Sequence, residues 1–212
     1  MKKLLKALLI LLAILVAAVI IYVGYVMLSY NRIPDNQSLE PRNPQQAGLA
    51  AGVGVEYAIA TQNIGFGAYT DDYTFFMDGG TQSWAESPES VVACVSAAAG
   101  EVSSLQPDFI LFQEVDFDST RSYHINEQEI LRGAFSEMAE VNAVNYHSAF
   151  LMYPLTQPHG TSNSSMVTFS RFGITGAVRR SLPISTGFSK FLDLDRCYTI
   201  SRVPTENGKE LV

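Results

Sequence analysis

The chain has 212 residues and a mass of 23.2 kDa, with 47% apolar and 17% charged residues, which excludes a disordered polyelectrolyte, a collagen-like chain and a disulfide-dense mini-protein. Lys2, Lys3, Lys6 and Arg32 precede every acidic residue, so residues 33–212 carry 10 basic against 21 acidic side chains, a net charge of −11. An acidic domain of this kind lacks the clustered Lys/Arg footprint with which a protein holds nucleic acid over a broad surface.

The first element is an uncharged run from Ala7 to Ser29 dominated by Leu, Ile, Val and Ala. Its 22 residues from Ala7 to Leu28 make about 33 Å of helix, enough to cross a hydrocarbon core of about 30 Å. Tyr22, Tyr25, Met27 and Tyr30 stand at the exit, where tyrosines suit an interfacial belt, and no small-x-small cleavage site follows. A retained signal-anchor is therefore expected over residues 1–31, with a cleaved signal peptide as the alternative. Three lysines before the run and one arginine just after it place the N-terminus in the cytoplasm and the rest outside. Residues 32–54, rich in Pro, Asn, Gln and Gly, read as a linker whose role is reach.

From residue 55 the texture is that of a folded domain, residues 55–212. Val55 to Thr61 alternates as a strand and is closed by Asn63 and the glycines of Ile64-Gly65-Phe66-Gly67. Ser87-Pro88-Glu89 reads as an N-cap, a proline at the first helical position and an acidic first turn. Val91, Val92, Val95, Ala98, Ala99, Val102 and Leu105 then fall at helical spacing. Pro107-Asp108 stops this helix, and Phe109 to Phe112 is a continuous apolar run expected of a strand buried on both faces. A second helix is expected from Asn126 to Val141, with Ile130, Leu131, Ala134, Phe135 and Met138 as its inner stripe. Strands are expected at 165–169, 174–181 and 196–203, and Asn207-Gly208 signals a hairpin after the last. Strands and helices mixed at this spacing give an α/β layered domain. Cys94 and Cys197 are too few for a disulfide framework and match no zinc spacing; they read as core residues, with a single disulfide as the alternative.

The sharpest chemical signal is Pro107-Asp108-Phe109-Ile110-Leu111-Phe112-Gln113-Glu114-Val115-Asp116. A carboxylate at the end of an apolar strand is costly unless it reaches solvent or grips a divalent cation. Asn63, at the end of another strand, either donates to a phosphate, orients a carboxylate or closes a turn. A third segment is Thr168-Phe169-Ser170-Arg171-Phe172.

Together the three segments resemble the metal-dependent endonuclease/exonuclease/phosphatase superfamily, which includes deoxyribonucleases and sphingomyelinases. Thr61-Gln62-Asn63 matches its T-x-N, Pro107 to Val115 its P-D-(apolar)-Q-E-V, and Met166 to Phe172 its apolar strand followed by S-R and an aromatic. The resemblance implies a deoxyribonuclease-like α/β sandwich, with Glu114 a ligand of Mg²⁺ or Mn²⁺ and Asn63 beside it at the metal or phosphate. Arg171 either frames the phosphate or forms a structural ion pair; Arg121 either touches substrate or is a solvated loop residue. His124, His147 and His159 receive no catalytic role.

The family's second half adds N-x-H, G-D-x-N and D-H elements, and none follows the third motif here. The chain thus reads as the N-terminal half of an enzyme, inactive by itself. The expected function is a membrane-anchored, outward-facing phosphoesterase. Acidity and the anchor favour a phospholipid head group or small phosphoester over DNA, with an extracellular nuclease and a non-catalytic membrane-tethered binding domain as the alternatives.

Overall fold

The computed structural model describes residues 1–45, 47–191 and 193–212. It is a mixed α/β protein with two four-stranded sheets and a long apolar N-terminal helix. That helix, α1 (Lys2–Ser29), is long and apolar enough to cross a membrane. Its last turns do not stand free: Val26 is buried, and the Tyr22 and Tyr25 hydroxyls bond to the backbone at Phe150 and Met152.

The expected linker is not a free tether. Residues Gln37–Leu39 form β1, antiparallel to β6 (Gly176–Ser181), and Arg42, Gly48 and Ala51 each bridge to the domain through backbone pairs. Asp35 holds Arg180 at 3.0 Å and also accepts from the Ser181 N–H. The low apolar periodicity that suggested a tether reflects a segment held by backbone and ionic pairs instead of an apolar stripe.

The second sheet has the order β2 (Ile59–Asn63), β3 (Phe109–Asp116), β5 (Asn163–Ser170), β4 (Ala139–His147). β2 and β3 run parallel, and α2 (Pro88–Ser104) makes the crossover a parallel pair requires. Ser87 caps α2 as expected: its side chain accepts from the Ser90 N–H, the Ser90 hydroxyl accepts in turn from the Ser87 N–H, and Pro88 sits where its missing N–H costs nothing. One face of this sheet is covered by α2 and by α3 (Glu127–Ala134), burying Val91, Val95 and Ala99 against Ile110, Phe112 and Phe169. Each Val, Ile or Phe side chain among these stabilises the fold by about 1.5–3 kcal/mol when withdrawn from water.

The other face meets the first sheet, ordered β1-β6-β7-β8 with β7 at Cys197–Pro204 and β8 at Glu210–Leu211. Ala139, Val141, Ala177 and Val203 close the contact near β4. Toward β2 the sheets diverge around a cavity of about 230 Å³, so Leu111 is 37% exposed and the expected burial of β3 on both faces holds on the helix side only.

Three other expectations shift. The first strand begins at Ile59, not Val55. Val92 and Leu105, among the residues at helical spacing, are exposed, and Leu105 is the C-cap that follows α2. The second helix ends at Ala134, because Ala139 to His147 pairs along β5 as a strand. Leu131 and Phe135 do form its inner contact. The Asn207-Gly208 turn closes the β7–β8 hairpin as expected, with Gly208 at φ +77°. Both cysteines are free thiols.

Candidate metal and phosphate site

Parallel β2 and β3 end side by side, and a cleft opens at their carboxyl ends, the usual ligand position in parallel sheets. It has a volume of about 610 Å³, and Asn63, Glu114, Gln62, Tyr69, Cys94 and Glu101 are among the residues lining it. Register places Asn63 opposite Gln113, so Glu114 is the next residue beyond the last pair. There β3 breaks step with β5: the pairing shifts between Phe112 and Val115, and Glu114 adopts φ +55°. A non-glycine residue in the left-handed region costs about 1–3 kcal/mol, and such outliers concentrate at functional sites. The bulge turns the Glu114 carboxylate into the cleft and out of the ladder.

Asn63 fixes that carboxylate. Its Nδ2 donates to Glu114 Oε1 at 2.9 Å while its Oδ1 accepts from the Gly65 N–H at 2.8 Å. Asn63 thus closes a turn and orients a carboxylate at once. Glu114 Oε2 has no hydrogen-bond partner among the described residues. The side-chain oxygen of Gln62, another residue of the cleft lining, is buried and has no partner among the described residues.

The turn beyond Asn63 requires its glycines. Gly65, Phe66 and Gly67 sit at φ +54°, +45° and +63°, and a Cβ on Gly67 would lie 2.9 Å from Val91 in α2. This tight path points Phe66 into the core and swings Tyr69 over the cleft. Tyr69 donates to Asp78 Oδ2 at 3.3 Å; burial first, then Asp78 and Glu114, raises its phenol above the ordinary range. The phenol stays protonated, with its one O–H engaged by Asp78.

Arg121 is neither in the cleft nor in solvent. It is 6% exposed and forms a two-pronged pair with Asp116, Nε to Oδ2 and Nη2 to Oδ1, both at 2.9 Å, with its guanidinium 3.9 Å above the Phe66 ring. Such a buried fork is structural. The Asp116 N–H in turn donates to Glu127 Oε2 at 2.8 Å. Burial and then the Asp116 carboxylate push the fully buried Glu127 carboxyl well above its ordinary range.

Arg171 pairs with Asp108 at 3.1 Å and donates to the Gln106 carbonyl. Asp108 lies six residues before Glu114, about 20 Å along an extended strand, so Arg171 belongs to the opposite end of the sheet. The ion-pair alternative is the observed one.

No group of three or more His, Cys, Asp or Glu side chains is placed to hold a metal ion among the described residues. One oriented carboxylate still fits a hard cation such as Mg²⁺, which binds through one or two carboxylates and keeps water or substrate phosphate in its other positions. His124, His147 and His159 do not line the cleft. Asn145-Tyr146-His147, a literal N-x-H string, closes β4 at the same end of the sheet but two strands away from β3.

Sequence reasoning missed Gln62, Tyr69, Cys94 and Glu101. Cys94, Ala97, Ala98 and Glu101 fall at i, i+3, i+4 and i+7, so a second face of α2 was there to be read beside its core stripe. Comparison of the chain with protein-family models, curated proteins and solved structures gives no match.

Proposed function

We propose that this cleft is the metal and phosphate site of a membrane-anchored, metal-dependent phosphoesterase built on a deoxyribonuclease-like layered sandwich. The observation that carries the reading is the Asn63–Glu114 hydrogen bond of 2.9 Å, made by a carboxylate held in a left-handed backbone conformation at the mouth of a cleft. Glu114 would hold the cation through its carboxylate, and Asn63 keeps that carboxylate from rotating away. When bound, Mg²⁺ or Mn²⁺ supplies Lewis acidity that neutralises charge developing on a phosphoryl oxygen. Gln62, in the same cleft lining, offers its side-chain amide to an ester oxygen. The small cleft and the net charge of −11 over residues 33–212 favour a phospholipid head group or small phosphoester over duplex DNA. With Lys2, Lys3 and Lys6 before the helix, the N-terminus is cytoplasmic and the domain faces outward.

A second reading rests on the cleft lining, which includes no histidine to serve as general base. On that reading the chain binds metal and phosphate without turnover. Calorimetry with inorganic phosphate and bis-p-nitrophenyl phosphate assays, each with and without Mn²⁺, tests both. Mn²⁺-dependent phosphate binding lost in Glu114→Gln is the expected result. EDTA-sensitive, Glu114-dependent cleavage by this chain would show that its machinery is complete and overturn the non-catalytic reading. Phosphate binding indifferent to Mn²⁺ and to Glu114 would overturn the site itself.

A further inference from the structure

We infer that the segment Phe150–Leu155 is a second membrane contact, an apolar loop seated in the lipid interface beside α1. This rests on the reading of α1 as a membrane span, not on the chemistry of the cleft. The 28 residues of α1 make about 42 Å of helix, roughly 12 Å more than a hydrocarbon core needs. Placing the excess at the C-terminal end leaves Leu4 to Ile21, 18 residues and about 27 Å, to cross. Local thinning of the bilayer takes up the mismatch of about 3 Å, with Lys6 extended back toward the head groups. Tyr22 and Tyr25 then fall in the interfacial zone where tyrosines concentrate.

Those two side chains are the ones that grip the loop. The Tyr22 hydroxyl donates to the Phe150 carbonyl at 3.1 Å and accepts from the Met152 N–H at 3.0 Å, while the Tyr25 hydroxyl accepts from the Phe150 N–H at 3.1 Å. The backbone of the loop is thereby fixed at the depth of the tyrosine belt. Its base is closed by the Leu151–Gly160 bridge and by the Trp84 indole N–H on the Pro158 carbonyl at 2.7 Å. Beyond that base it projects Met152 (45% exposed), Tyr153 (69%) and Leu155 (82%). No charged side chain occurs from Ser148 to Pro158. In water this would be a costly apolar tip. At a bilayer surface, apolar groups of this kind sit about 5–10 Å into the boundary between head groups and acyl chains. A protein partner would not need the tip to be tied to a membrane helix at interfacial depth; a lipid surface does. The contact fixes the tilt of the domain on the membrane as well as its distance from it.

Full-length chain reconstituted into vesicles of phosphatidylcholine, with or without bromine on the acyl chains, tests this. Trp84 is the single native tryptophan, so the parent signal is subtracted from that of two variants, Leu155→Trp in the loop and Ile14→Trp in the helix. Both new tryptophans are expected to be quenched by the brominated lipid, the loop one with a blue-shifted emission. Quenching at position 14 with none at 155 would overturn the loop contact and leave the anchor standing. Quenching at neither would overturn the anchor reading, and the loop contact with it.

Discussion

The two ends of β3 carry acidic residues in opposite circumstances. At the entry, Asp108 accepts from the Ala58 N–H and pairs with Arg171, so both its oxygens serve the fold. At the exit, Glu114 sits in a strained conformation at a bulge, has one amide partner, and turns its second oxygen to an open cleft. Asp116, two residues on, returns to the first pattern, buried and paired with Arg121. Carboxylates on one strand are thus separated by partner and by backbone. The one left with free coordination capacity is also the one whose backbone is least comfortable, as expected where geometry serves a ligand and not stability.

The contrast predicts where substitutions hurt. Breaking the buried pair with Arg121→Met leaves Asp116 charged, buried and held only by the Ser122 hydroxyl at 3.1 Å, and urea denaturation should register a loss of about 3–5 kcal/mol. A variant within about 1 kcal/mol of the parent would mean that Asp116 is not held by this arginine.

A smaller effect concerns pH. His159 is fully buried, its Nε2 3.1 Å from the Ser162 hydroxyl, and burial, then the nearby Arg121 cation, lowers it to about 4. The unfolded chain takes up this proton near pH 6.5, the folded one only near 4, so stability falls as pH drops through that window, by at most roughly 3 kcal/mol. Melting curves across the window should flatten in His159→Gln; an unchanged slope would remove His159 as the cause.

Next comes the strained residue. Glu114→Gly relieves the left-handed backbone but loses the Asn63 hydrogen bond, so stability should stay within about 1 kcal/mol of the parent while any divalent-cation response disappears. Large destabilisation would assign Glu114 to the fold. The smallest effect is expected at the other end of the strand, where Arg171→Ala removes a half-exposed pair worth less than about 1 kcal/mol and leaves the cation response intact.

Much of this was legible in the sequence, for physical reasons that differ by residue. Ser87-Pro88 announced α2 because capping is local chemistry. The apolar run ending at Glu114 announced β3 and its exposed end, and Asn63 before a glycine turn pointed to a second strand end, now found 2.9 Å away. What failed depended on distant partners. Arg121 looked like a loop residue because nothing local shows that the Gly65–Gly67 turn carries Phe66 beneath it. Glu140 helped disguise β4 as the tail of a helix; it is buried because Arg132 and Arg42, the latter nearly a hundred residues earlier, both reach it. The segment around β1 looked like a tether because strand pairing at a sheet edge needs no apolar pattern.

The central claim is that Glu114 is shaped to hold a divalent cation, and the thermal unfolding of the full-length protein as a function of Mn²⁺ or Mg²⁺ concentration tests it most directly. A cation bound to the folded state alone adds about 2.7 kcal/mol at a hundredfold excess over its Kd, so a saturable rise in Tm is expected, absent in Glu114→Ala and retained in Arg171→Ala. A Tm indifferent to the cation, or an equal rise in Glu114→Ala, would contradict it.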